Sequence, residues 1–330
     1  MKELIRKLTE AYGPSGREAR VRDIIRAEIG TAGEARVDAM GSLIVHRPGK
    51  GGGRKVMLAS HMDEIGVVVT HVDQKGFLRF GNVGGVRPMP LLGSRVQFSN
   101  GATGVIGMEK LEDATKTPGM DKFYIDVGAD ENIPPTVKVG DIACFARPFE
   151  ELGGRLVAKA MDDRIGCAIL VQLLRELKKS PHDLFFVFTV QEEVGLRGAT
   201  TAAFGVEPDL AVAVDITLTG DTPECPPMAV RLGGGPAIKV KDSGMIAHGG
   251  VKDWLVRTAE AGTIPFQLEV LTGGSTDAMA MQTSRAGVPA GCVSIPTRYA
   301  HSPSEMIEYR DVQNTVKLLE AALSAPIDIG

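Results

Sequence analysis

The chain has 330 residues, 43% hydrophobic and 24% charged, with a formal net charge of −4. That is the balance of a folded globular protein, with room for one large domain or two of ordinary size. Its mild acidity, with a pI near 5.9, argues against a nucleic-acid partner, which leaves a basic footprint.

In chain order, residues 2–11 are amphipathic, with Leu4, Ile5 and Leu8 on one side, and predict a helix, as do residues 17–29. This opening holds no continuous apolar segment of a secretory leader, and no stretch approaches the roughly 20 apolar residues of a membrane span. Cys144, Cys167, Cys225 and Cys292 are far apart and form no C-x-x-C pair, so they read as free thiols of a reducing compartment. A cytoplasmic protein with no membrane partner is expected. "KVMLAS" (55–60) reads as a buried strand after the turn "GKGGGR". From 66 to 156 the texture changes to short, often alternating segments such as "GFLRF", "SRVQFS", "TGVIGME" and "FYIDVGA", separated by Gly, Asn, Asp or Pro. That pattern predicts a small barrel or sandwich, with the polar stretch 110–121 as a loop.

Beyond residue 160, helices alternate with apolar strands. Helices are predicted over 162–179, 196–205, 250–262, 275–287 and 307–325, and strands over 183–190, 210–217, 265–271 and 289–295. Such alternation implies an α/β fold, a sheet covered by helices on both faces. The expected organisation is one α/β domain, 1–65 plus 157–330, interrupted by a small β domain over 66–156.

Ligands of open α/β sheets bind beyond the carboxyl ends of the strands, so the residues after each buried strand matter most. "KVMLAS" runs into His61 and Asp63; "LFFVFTVQ" into Glu192 and Glu193; "LAVAV" into Asp215; "GCVSI" is followed by His301. Asp162 and Asp163 open the helix at 162. Each residue alone has a plain structural explanation. His61 could terminate a strand, Asp162 could cap a helix, Glu192 and Glu193 could be a solvated turn, and Asp215 could anchor a loop. None of these explains why all lie at one end of the sheet. Carboxylates and imidazoles converging there suit two divalent ions about 3.5–4 Å apart that activate a water. One of the adjacent glutamates can ligate while its neighbour, pointing away as strand neighbours do, serves as general base. Asp63, two residues after His61, can accept the other ring N–H of that histidine.

"SHMDEIG", "AMDDRIG", "QEEVGLRGA", "AVDIT", "GGSTDA" and "PTRYAHSP", with "DVGA" in the middle region, resemble the ordered motifs of metallopeptidase family 42, the tetrahedral aminopeptidases. The resemblance runs from about residue 12 to 310. It implies that Asp162 bridges two metals, that His61 and Asp215 complete one site, and that Glu193 and His301 complete the other. It implies Glu192 as the general base and proton donor, with Asp63 orienting His61. It further implies zinc or cobalt as the metals, short peptides as substrates, a PDZ-like or barrel insertion, and dimers assembled into hollow tetrahedral dodecamers. The alternative enzyme is a two-metal amide deacylase or carboxypeptidase-like hydrolase using the same centre. A cellulase would need a sugar groove lined with aromatics, and 5% aromatic residues with one Trp do not favour it.

Other features read as structural. "GKGGGRK" precedes a strand and lacks the hydroxyl residue of a phosphate loop. "GNVGGV" (81–86) does not fit a dinucleotide fingerprint, and Ser15 in "GPSG" is expected to cap a helix start. His46, His71 and His182 are expected at structural or surface positions, His248 at a cap, and "DAMAMQ" in helix core. Asp277, Arg298 and Tyr299 are expected near the pocket.

Overall fold

A computed structural model describes residues 1–113, 115–130 and 136–330. The chain starts with helices α1 (Lys2–Glu10) and α2 (Ala19–Ile29), then strands β1 (Glu34–Val37), β2 (Leu43–Arg47) and β3 (Lys55–His61). Strands β4 (Gly66–Val72), β5 (Leu78–Val83), β6 (Arg95–Phe98), β7 (Thr103–Met108), β8 (Phe123–Asp126) and β9 (Ile142–Phe145) follow. Then come β10 (Glu150–Leu152), β11 (Arg155–Ala158), α3 (Met161–Glu176), β12 (Asp183–Thr189), α4 (Arg197–Val206) and β13 (Leu210–Thr217). The last part comprises β14 (Ala237–Lys241), α5 (Gly249–Ala261), β15 (Gln267–Val270), α6 (Asp277–Gln282), β16 (Ala290–Arg298), β17 (Glu305–Glu308) and α7 (Tyr309–Ser324).

Two sheets result. β4 to β9 close a six-stranded barrel in the order β4-β5-β8-β7-β6-β9, packed internally by Val67, Val69, Phe80, Phe98, Ile106 and Phe123. Closure leaves no edge to protect, and it fits the alternation of the segments in this region. The other sheet has 11 strands in the order β1-β2-β12-β3-β13-β16-β17-β11-β10, with β14 and β15 branching from β16. Its centre, β12, β3, β13 and β16, is parallel, and these are the apolar runs of the sequence, buried on both faces. α1, α2, α3, α5 and α7 supply the core on one face; α4 and α6, rich in small residues, cover the other.

Several elements differ from the sequence expectation. The helix expected over 275–287 is only Asp277–Gln282; Thr276 caps it by accepting from Ala278 N–H, and Arg285 and Gly287 turn the chain with positive φ. The final helix starts at Tyr309, because residues 305–308 pair with β11 and β16. β14 was not expected; it joins the sheet by pairing with β16 and carries β15 on its other side. The described part of 110–121 is loop until a short 3-10 helix, Met120–Lys122, and Ala114 lies outside the described residues. Among the described residues, no helix is long and apolar enough to cross a membrane.

Candidate metal centre

The centre sits at the carboxyl ends of the parallel strands, as the topology of such sheets requires. His61 is the last residue of β3 and is buried. Its Nε2 lies 3.0 Å from Asp162 Oδ1 and 3.9 Å from Glu192 Oε2. Asp162 stands at the start of α3, where Asp162 and Asp163 leave helical geometry. Its second oxygen is 3.2 Å from His301 Nε2, which is also 3.4 Å from Glu193 Oε2. Asp215, near the end of β13, is buried close by. Two sets of donor atoms converge within 4.8 Å of one another: His61, Asp162 and Glu193, and His61, Asp163 and Asp215. All residues singled out from the strand ends therefore meet, and Asp163 joins them.

The glutamate pair diverges for a different reason from the one the sequence suggested. β12 ends at Thr189, and Glu192 and Glu193 lie in a turn where Gly195 and Leu196 N–H groups both donate to Glu192 O. Gln191 enters this turn at φ 56, a left-handed conformation that non-glycine residues hold only when surroundings impose it. The turn, and not strand alternation, sends Glu192 toward His61 and Glu193 toward His301.

Asp63 holds the glutamate end of the turn. Its carboxylate accepts from Glu192 N–H at 2.9 Å, Glu193 N–H at 3.2 Å and Ser15 Oγ at 2.6 Å. His61 Nδ1 is 3.1 Å from the Asp63 carbonyl and 3.5 Å from its carboxylate, so the main-chain oxygen is the nearer partner for the ring. Ser15 thus serves Asp63 instead of capping; the helix after it begins at Ala19 with Glu18 before it. His248 occupies the position before α5 but makes no side-chain cap bond. His46 bonds Asp183 at 2.6 Å and stacks on Phe185, and His182 bonds Ala325 O at 2.8 Å, both remote from the centre.

Three further groups complete the surroundings. Buried Glu305 accepts from Asp162 N–H at 3.0 Å and His301 N–H at 2.8 Å, fixing two of the converging residues through their backbones. Asp163 accepts from Ser60 Oγ at 2.5 Å and His61 N–H at 3.1 Å. Asp277 accepts from Thr189 Oγ1 at 2.5 Å. A carboxylate four residues after His301 was the available sequence sign for Glu305. The barrel also reaches the centre through "GNVGGV": the Gly85 carbonyl is 3.2 Å from His301 Nδ1, and a Cβ there would stand 2.5 Å from that atom.

Buried carboxyl groups crowd one another at the centre. Burial, with the charges of neighbouring carboxylates, pushes Glu193 up to about 8 and Asp215 up to about 7. Glu192 is raised well above the carboxylate range, by burial and then by Asp215, Glu193 and Asp277 against the pull of His61. Burial opposes protonation of His301, but Asp162 and Glu193 outweigh it and lift the ring to about 10. Burial likewise opposes protonation of His61, which Glu192, Asp162 and Asp63 nevertheless raise well above its ordinary value. More buried carboxylates than cations meet here, an arrangement a bound cation would relieve.

Comparison with known proteins gives the family. The profile of the M42 glutamyl aminopeptidase family matches residues 41–318. A putative aminopeptidase of Acetivibrio thermocellus is 49% identical over 327 residues, covering 98% of both chains. Aminopeptidase APDkam598 from Desulfurococcus kamchatkensis has the same fold, with a TM-score of 0.93 and 42% identity over 98% of this chain and 94% of that one. The Pyrococcus horikoshii TET1 peptidase, described as able to assemble into a tetrahedron or a large octahedral shell, gives a TM-score of 0.85 at 34% identity, covering 98% of each chain. A profile match across most of the chain and a relative this similar over nearly its whole length leave one conclusion: the chain belongs to the M42 glutamyl aminopeptidase family and is a hydrolase, a metalloaminopeptidase.

Proposed function

We propose that the protein removes the N-terminal residue of short peptides with a centre of two divalent ions and a glutamate general base. The observation behind this reading is the convergence of His61, Asp162, Glu193, Asp215 and His301, with Glu192 across from His61. The donor set fits such ions: imidazole nitrogens and carboxylate oxygens suit zinc or cobalt, and their buried negative charge calls for positive counter-charge. Asp162, with one oxygen toward each histidine, would be shared by both ions. His61 and Asp215 would complete one site, and Glu193 and His301 the other. Bound there, the ions would polarise the scissile carbonyl and make water acidic enough to lose a proton near neutrality.

The chain's own residues supply the rest. Glu192 would take the proton from the attacking water and return it to the leaving amine. Asp63 holds Glu192 and Glu193 by their N–H groups, which keeps the backbone in the turn that sends the two side chains apart. The free amine of a peptide would meet carboxylates at this centre, which favours an aminopeptidase over a deacylase. In the reading proposed here, residues 1–65 and 157–330 form the peptidase domain, and 66–156 form an inserted domain for assembly and substrate access. Dimers assembled into a closed shell would admit only short or unfolded chains, and the P. horikoshii relative can assemble into a tetrahedron or a large octahedral shell. A cytoplasmic site of action fits its four free cysteines.

The test is hydrolysis of leucyl peptides, free and N-acetylated, by chelated protein resupplied with zinc or cobalt. The proposal expects cleavage of the free peptides only. Cleavage of the acetylated ones would favour the deacylase.

A further inference from the structure

In front of the centre lies a cavity of about 490 Å³. Apart from the converging residues and the exposed Arg87 on the barrel loop, its charged wall residue among those described is Lys239 of β14. Lys239 is fully buried, as are Glu269 of β15 and Asp242. Its Nζ donates to Glu269 Oε1 and lies 3.5 Å from Asp242 Oδ2. Thr217 Oγ1 donates to the same Glu269 oxygen at 2.9 Å, while Glu269 Oε2 receives no hydrogen bond. Thr217 follows Asp215 by two residues on β13, so both point to one face, about 6.6 Å apart along the strand. That is the span from a peptide carbonyl held at the centre to the end of a medium-sized side chain on its first residue.

We infer that this cavity receives the first side chain of the peptide, that the Lys239–Glu269 pair forms its floor, and that Glu269 determines specificity. The inference rests on the aminopeptidase reading. A lone ammonium on the floor would be a counter-ion for an acidic side chain. Here Glu269 and Asp242 already answer that charge, so an incoming carboxylate would meet an occupied cation and two buried carboxylates. A basic side chain would have to displace an enclosed Lys239. The remaining walls include Ile216, Leu218 and Leu271, which suit aliphatic groups. The enzyme therefore removes uncharged aliphatic residues such as Leu and Met in preference to Glu or Lys.

The test is kcat/KM of metal-loaded enzyme on leucyl, methionyl, glutamyl and lysyl p-nitroanilides. Leu or Met should exceed both charged residues by at least about tenfold. Glu269→Gln removes the nearer of the two carboxylates that answer Lys239, leaving only Asp242 at 3.5 Å, and should raise the Glu-to-Leu ratio about tenfold or more. Should that variant fail to fold, the neutral pair Lys239→Gln/Glu269→Gln decides. It should keep the wild-type ratio within about threefold, because the double substitution leaves the net charge of the floor unchanged. Wild-type preference for Glu or Lys, an unchanged ratio in Glu269→Gln, or a tenfold change in the neutral pair would overturn the assignment. Inactivity on all four substrates, with acetylated peptides cleaved, would instead refute the aminopeptidase reading and this pocket with it.

Discussion

Two buried charge clusters lie within a few residues of each other, and they are built in opposite ways. Around Glu64, every charge is answered. Lys159 Nζ donates to its oxygens at 2.9 and 2.7 Å, and Arg164 at 3.0 Å. Arg164 also donates to the carbonyls of Leu8 and Met62, both at 2.6 Å. This cluster ties α1, the end of β3, the root of the barrel and the start of α3 into one body. Around His61 the carboxylates of Asp162, Asp163, Glu192, Glu193 and Asp215 outnumber the imidazoles. Satisfied buried charge holds a fold in place; surplus buried charge of one sign marks where a ligand of the other sign belongs.

Substitutions should separate the two clusters cleanly. Glu192→Gln is expected to lower kcat by about 10²- to 10⁴-fold, while metal analysis finds the ions still bound. Glu64→Gln should leave Lys159 and Arg164 short of their counter-charge and cost about 3–5 kcal/mol in chemical denaturation. Activity of the fraction that remains folded should stay near normal. Asp63→Asn lies between, since it weakens the hold on the 191–193 turn; a loss of about 10–100-fold in activity or metal affinity is expected.

The smallest effect is the pH dependence of the metal-free protein. Glu193 at about 8 and Asp215 at about 7 stand above their unfolded values, so the native state binds more protons than the unfolded chain. The stability they contribute is complete below about pH 4 and is lost as pH rises through 7 and 8. His301, at about 10, adds loss in the same direction above its unfolded value. In chelator, melting temperature should fall by on the order of 5 °C between pH 5.5 and 8.5. Saturating zinc should remove most of that slope. A melting temperature in chelator that rose with pH would contradict the account of surplus negative charge.

Much of this was legible in the sequence because central parallel strands are buried on both faces. They appear as apolar runs, and polar residues can appear only where they end. That exposed His61, Glu192, Glu193, Asp215 and His301 together, and the helix start added Asp162. What remained hidden depended on contacts between distant segments. β14 and β17 are too short to show a period, and each exists by pairing with β16. Glu305 acts through N–H groups of Asp162 and His301, a role that leaves no local pattern. The same holds for Ser15, which meets Asp63 from 48 residues away, and for the approach of Gly85 to His301.

The surplus charge at the strand ends is the proposed seat of two cations. Counting zinc bound per chain at equilibrium, after chelation and dialysis against a slight excess, tests it directly. Two ions per chain in the wild type, still two in Glu192→Gln and fewer in His301→Ala, is the predicted result. A wild-type chain that binds none, or only one, would contradict it.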